Sequence, residues 1–205
     1  MNLDPENLDY KYFMGSLLLL NGEPKASIPF FRSVTNKRSW HYWAHHNLGQ
    51  AYFRIGSTAE GQRFMDKAKK LQKGIQEVEN WHNLANMNPD QFMLWVNLGN
   101  SLNNMGRMEE AKDAFLVALS LKPMNFALQN NIANLCLMIG DTNQAIVRYE
   151  AILSMDPELV DIWLNLGVVY ASSGQVTEAR QAWEKGLEFD SNNQTLKGYL
   201  ETLNR

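Results

Sequence analysis

The sequence predicts an all-α chain, an α-solenoid of antiparallel helix pairs split into two lobes by one extended helix. Three observations predict this. First, glycines recur at a fixed distance: Gly15 and Gly49 are 34 residues apart, as are Gly22 and Gly56, and Gly106, Gly140 and Gly174 repeat the step. A period of that length with small residues at fixed phases is the mark of stacked helix pairs. Second, Phe64, Ala68, Leu71, Ile75, Val78, Trp81 and Ala85 follow one another at steps of three and four, which is helical spacing. Third, that stripe runs through a break in the glycine period, because Gly49 and Gly99 are 50 residues apart rather than 34.

Each unit reads as one helix, a glycine-containing turn and a second helix. Five units are expected near 8–41, 42–75, 92–125, 126–159 and 160–191. Small residues such as Gly99 and Ala111 let the paired helices approach closely. Aromatics such as Phe115, Tyr149 and Trp183 fill the space between neighbours. Lys122-Pro123 and Asp156-Pro157 end second helices, since the residue before proline disfavours the α region. Pro24 suits a first helical turn, whereas Pro29 lies deeper and is expected to bend its helix. A closing helix over 192–205 would cover the end of the stack with Leu196, Tyr199, Leu200 and Leu203.

The third unit carries Trp95-x2-Leu98-Gly99-x2-Leu102, then Ala111-x3-Phe115 and Pro123. The fifth carries Trp163-x2-Leu166-Gly167-x2-Tyr170 and Ala179-x3-Trp183, and the fourth Ile132-Ala133, Ala145-x3-Tyr149 and Pro157. These residues resemble the tetratricopeptide repeat family over nearly the whole chain. The first two units depart more. His45 stands where a tryptophan is usual, with Gly61-x3-Met65 for Ala-x3-Phe, and Lys11 and Ser27 occupy the corresponding places in unit one. The resemblance implies a right-handed superhelix and a protein-binding module rather than an enzyme.

The sixteen extra residues around 76–91 continue the apolar stripe, so the second helix of unit two is expected over 59–86. Gly74 is the point where it would break if it breaks, since glycine weakens a helix by roughly 1 kcal/mol against alanine. The expected organisation is an N-terminal lobe over 1–75, a helical extension over 76–91, a C-terminal lobe over 92–191 and the closing helix.

Hydrophobic residues make up 45% of the chain, which argues against disorder. The net charge of −3 gives no general grip on nucleic acid. That charge is uneven: residues 1–75 hold eleven Lys/Arg against six Asp/Glu, and 76–205 hold eight against sixteen. Ordinary surface variation, different partners at the two ends, and head-to-tail attraction between copies all fit this division. Cys136 is the lone cysteine, so no intrachain disulfide is available. The acidic start, with Asp4, Glu6 and Asp9, has no basic leader, and Leu17–Leu20 is too short to span a membrane. A cytoplasmic location without stable membrane insertion is expected.

In the resembled family the first helices line the concave face. The matching positions here hold asparagine repeatedly. Asn47, Asn97, Asn131 and Asn165 share one phase, Asn100 and Asn134 another, and Asn130 lies beside them. A carboxamide both donates and accepts, so such a row can hold a peptide backbone without reading its sequence. Solvating the groove is the plainer alternative. Met93 would supply an adaptable apolar contact. Chaperone-tail readers of the family place Lys, Asn and Arg at two phases that here hold Tyr12 and Ser16, His46 and Gln50, Val96 and Asn100, Asn130 and Asn134, and Leu164 and Val168. None of these is Lys or Arg, which argues against a heat-shock carboxylate tail as ligand.

The run Ser39–His46 admits three readings. It could pack units one and two together, serve as a binding hot spot through Tyr12, Trp43 and His46, or supply His41 and His45 as metal ligands four residues apart. No Cys or metalloprotease-type Glu accompanies those histidines, and neither a metal nor another cofactor is expected. Lys67, Lys69, Lys70 and Lys73 read as a solvated helix face or as a site for an acidic partner or membrane surface. The function expected is a protein–protein interaction adaptor or scaffold holding a protein or peptide in its groove. A self-associating structural scaffold is the alternative.

Overall fold

A computed structural model describes residues 7–203. The acidic residues Asp4 and Glu6 and the last two positions expected in the closing helix lie outside them. Eleven helices make up the described fold: α1 (Leu8–Leu20), α2 (Pro24–Lys37), α3 (Tyr42–Arg54), α4 (Thr58–Met87), α5 (Phe92–Met105), α6 (Met108–Leu121), α7 (Phe126–Met138), α8 (Thr142–Met155), α9 (Val160–Ser172), α10 (Val176–Phe189) and α11 (Gln194–Thr202). Odd and even helices through α10 are the first and second helices of five repeats. The chain divides into two compact units, Met1–Asn88 with Asn100–Arg107, and Pro89–Gly99 with Met108–Arg205, so the division falls inside α5.

The turn between the two helices of every repeat is built the same way. Gly22, Gly56, Gly106, Gly140 and Gly174 all have φ between 78° and 89°. A side chain there would meet its own backbone, so glycine is the residue that ends the helix this way. Two backbone bonds close each turn. Around Gly140, for example, the Gly140 N–H donates to Leu137 and the Asp141 N–H to Cys136. Polar caps start helices in both kinds of connection: Asp141 in the Gly140 turn, and Asn125 and Asn193 in the connections between repeats, accept from the backbone N–H groups of Gln144, Leu128 and Leu196.

A second recurring bond joins four of the first helices, α3, α5, α7 and α9, to the chain six residues before the donor. Trp95 and Trp163 donate their indole N–H to the carbonyls of Pro89 and Pro157 at 2.9 and 2.8 Å. Gln129 does the same to Pro123 at 2.7 Å. His45 Nε2 reaches Ser39 at 2.9 Å. Histidine therefore stands in for tryptophan at this phase because it supplies the same donor.

In the first unit, Leu19, Phe31, Leu48, Ala51 and Tyr52 form a core, with Tyr12, Ile28, Ile55 and Phe64 packed on it. The Tyr52 and Phe64 rings stack with centroids 5.6 Å apart. Helix α4 runs 30 residues through Gly74 without a break, about 45 Å at 1.5 Å per residue. Ala68, Leu71, Val78 and Ala85 are its buried stripe. The glycine has a packing role: a β-carbon at position 74 would lie 3.1 Å from Met105 Cγ, so the bare glycine admits the methionine. Nearby, Ser101 donates its hydroxyl to Glu77 at 2.9 Å.

In the second unit, an added β-carbon at Gly99 or Gly167 would overlap the ring of Phe115 or Trp183. Ala179, Trp183 and Leu196 form a core joined by Val160, Leu164, Tyr170, Leu187, Leu200 and Leu203. Tyr199 of α11 stacks on Trp183 with centroids 4.9 Å apart. The described part of the closing helix thus packs through Leu196, Tyr199, Leu200 and Leu203.

Candidate functional site

In the first unit the facing sides of α1 and α3 form a groove of about 670 Å³. Tyr12, Phe13, Ser16, Leu17 and Leu20 line one side, and Trp43, Asn47, Gln50 and Arg54 the other. Gly15 and Leu19 turn α1 toward the core, which leaves Phe13, Leu17 and Leu20 on its outer stripe. They are 67, 50 and 82% exposed, and Trp43 is 56% exposed. Leaving so much apolar area in water is unfavourable by about 25 cal/mol per Å², and contiguous patches of this kind mark contact surfaces. The polar rim is ordered. Arg54 donates to the Leu19 carbonyl at 2.6 Å, and Ser16 to the Tyr12 carbonyl at 2.9 Å.

Three of the sequence-predicted residues, Tyr12, Trp43 and Asn47, line this groove together. His46 lies beside them, its ring 5.7 Å from that of Trp43 and its Nδ1 3.4 Å from Asn47 Oδ1. Phe13, Leu17 and Leu20 escaped the sequence reading. Helix α1 is apolar nearly all round, so its periodicity does not tell which stripe is buried.

The asparagines of α5, α7 and α9 divide into two kinds. Asn165 Nδ2 donates to Asn130 Oδ1 at 3.3 Å, which ties α9 to α7 across neighbouring repeats. Asn134 Oδ1 accepts the hydroxyl of fully buried Tyr149 at 2.6 Å. Asn131 is exposed with no fixed partner described. On α5, Asn97 is half-buried and Asn100 exposed, and Met93 is 57% exposed. The amide row is therefore partly consumed by the fold: Asn134 satisfies a buried hydroxyl, and Asn130 and Asn165 satisfy each other.

The histidines have structural work. His41 Nδ1 caps α3 by accepting from the Ala44 N–H at 3.1 Å, and its ring lies 4.8 Å from that of Tyr12. Burial lowers the pKa of both His41 and His45 from the usual imidazole value, so each is held neutral at pH 7. One nitrogen of each ring is committed to backbone, and no group of three metal-ligating side chains gathers among the described residues. Cys136 is buried and free. Among the described residues, no helix is long and apolar enough to cross a membrane.

Comparison with known proteins adds the following. Two family profiles, both described as tetratricopeptide repeat, match residues 44–74 with 94–125, and 137–198. The chain is 25% identical over 166 residues to the human Protein O-mannosyl-transferase TMTC3, covering 80% of this chain and 18% of that protein. It is 31% identical over 102 residues to the Hsp70-Hsp90 organizing protein of Triticum aestivum, covering 50% of this chain and 18% of that protein. The chain thus spans about a fifth of the length of these curated relatives. Among solved structures, YrrB, described as a tetratricopeptide repeat protein with an unusual peptide-binding site, superposes with a TM-score of 0.51 at 16% identity. That match covers 97% of this chain and 94% of the other.

Proposed function

Because the chain belongs to the tetratricopeptide repeat family, whose members mediate protein–protein interactions, we propose that it is an adaptor without catalytic activity that holds a polypeptide partner in its first-helix grooves. One observation carries this reading: Phe13, Leu17, Leu20 and Trp43 stand exposed around a single groove beside the amides of Asn47 and Gln50. The apolar groups desolvate on contact and supply affinity, while the amides pair with a partner's backbone. In the second unit, the exposed Asn131 offers a further amide contact. The wheat relative is named for organizing Hsp70 and Hsp90. The two phases expected to clamp a carboxylate tail hold no Lys or Arg here, so the partner proposed is apolar rather than acidic-tailed.

The test is selection of peptides from a random display library on the purified chain, followed by titration of the winners. Peptides enriched in large apolar residues, with binding lost in Phe13→Ser/Trp43→Ser, support the reading. Both changes are at exposed positions, and circular dichroism checks that the variant stays folded. Absence of enrichment, or winners that bind the variant equally well, would overturn it.

A further inference from the structure

The second unit carries another groove, on its second-helix side and separate from the amide row. Helices α8 and α10 form its walls and α9 its floor, enclosing about 550 Å³. The inside of the groove is apolar: Leu166 on the floor and Leu153 and Ala182 on the walls are buried, and the indole of Trp163 is half-buried with its N–H turned away to Pro157. The rim is acidic. Glu150 stands on one wall, and Glu178, Glu184 and Glu188 on the other. Glu150 is fixed by the hydroxyl of Tyr170 at 2.6 Å, and Lys185 is tied to Glu188 at 2.9 Å. An aromatic face below carboxylates suits a lysine side chain, with its methylenes over the indole and its ammonium at the rim.

The first unit presents the complement. Arg63, Lys67 and Lys70 follow one another at steps of four and three along α4, with Lys69 and Lys73 beside them. All five are exposed. No carboxylate of the described residues forms an ion pair with any of the four lysines. A cationic helix face and an acidic groove with an apolar floor therefore lie on the same chain.

We propose that the acidic groove of α8–α10 receives the lysine face of α4 from a second copy of this chain. The two surfaces differ, so each copy offers one of each and the contact is head-to-tail, giving a ring or an open filament according to whether it closes. This goes beyond the adaptor reading, because it uses neither the α1–α3 groove nor the asparagines.

The experiment is sedimentation equilibrium of the full chain over a wide concentration range, at low and at high salt. The expected result is a mass that rises with concentration at low salt and falls toward the monomer at high salt. Lys67→Glu/Lys70→Glu and Glu178→Lys/Glu184→Lys are each expected to lower the association constant by about tenfold or more, since like charges then face each other. An equimolar mixture of the two variants restores association, because each acidic face now meets a basic groove and each basic face an acidic one. All four positions are exposed, and circular dichroism checks folding. A monomer at every concentration, oligomers indifferent to both reversals, or a mixture that fails to recover would overturn the proposal. So would a monomer whose groove binds an oligolysine peptide, since the groove would then belong to a foreign cationic partner.

Discussion

Asn134 sits on the exposed side of α7, yet its carbonyl oxygen is the partner of a hydroxyl with no access to water. This makes the effect of Asn134→Ala depend on Tyr149. In the wild type, removing the amide leaves the Tyr149 hydroxyl buried and unpaired, which costs about 2 kcal/mol. Alanine is the better helix former by roughly half a kcal/mol, so the net loss is about 1.5 kcal/mol. In a Tyr149→Phe background no hydroxyl remains to satisfy. There Asn134→Ala should stabilise by the same half kcal/mol. The expected coupling between the two sites is about 2 kcal/mol with a change of sign. Urea unfolding of the four proteins, followed by far-ultraviolet circular dichroism, measures it. Equal effects of Asn134→Ala in both backgrounds would refute the assignment and return Asn134 to the free groove amides. A binding defect in Asn134→Ala should accordingly be judged against Tyr149→Phe, while Asn131→Ala reports on the groove without this complication.

Burial pushes the Tyr149 hydroxyl up to about 12, against 10 when unfolded. Its neutral form is the one the fold holds, so the stability it contributes is fully present below pH 10 and is lost as the pH rises toward 12. Tyr149→Phe should flatten the alkaline limb of a stability–pH curve. His45 shows the opposite sense: its folded pKa is lowered, so its contribution is present above pH 6.5 and is lost as the pH falls through the folded value. The fall in stability between pH 7 and 5 should therefore lessen in His45→Gln, which keeps a side-chain donor for the Ser39 carbonyl. Gly167→Ala drives a methyl into the Trp183 indole and should destabilise by about 1–3 kcal/mol. Gly198→Ala on α11 meets open space and should stabilise by up to about 1 kcal/mol; thermal melts of the two variants should move in opposite directions.

Repeats were legible in the sequence because a left-handed turn strongly favours glycine, and the site under the aromatic ring takes only a small residue, alanine at Ala133 in unit four. Gly106, Gly140 and Gly174 mark the first kind, and Gly99 and Gly167 the second. The length of α4 was legible because its stripe kept helical spacing through 64–85. The role of His45 was not, since a residue type does not announce that its donor replaces an indole. The asparagines misled in part for the same reason: a carboxamide on a helix surface looks alike whether it awaits a partner or already caps Tyr149. The α1–α3 groove was hidden by excess of signal, because a helix apolar nearly all round has little stripe to read. Asn47 could be named from its phase, and Tyr12 and Trp43 as aromatics of a possible hot spot; Phe13 shares the phase of Asn47 and was open to the same argument, whereas Leu17 and Leu20 needed the fold to show that they stay wet.

The turn glycines have a consequence for how such a chain changes length. Each of the five turns has the same left-handed φ, the same two backbone bonds and a helix on both sides. Excising 107–140 would join Gly106 directly to Asp141, and the new junction would keep the grammar of both old ones. Duplication of the same block would do likewise. These turns are splice points at which whole paragraphs of sequence can be inserted or cut without rewriting the words on either side. The sixteen added residues of α4 follow no such rule; they lengthen a helix in mid-sentence, and one of them, Glu77, accepts the hydroxyl of Ser101.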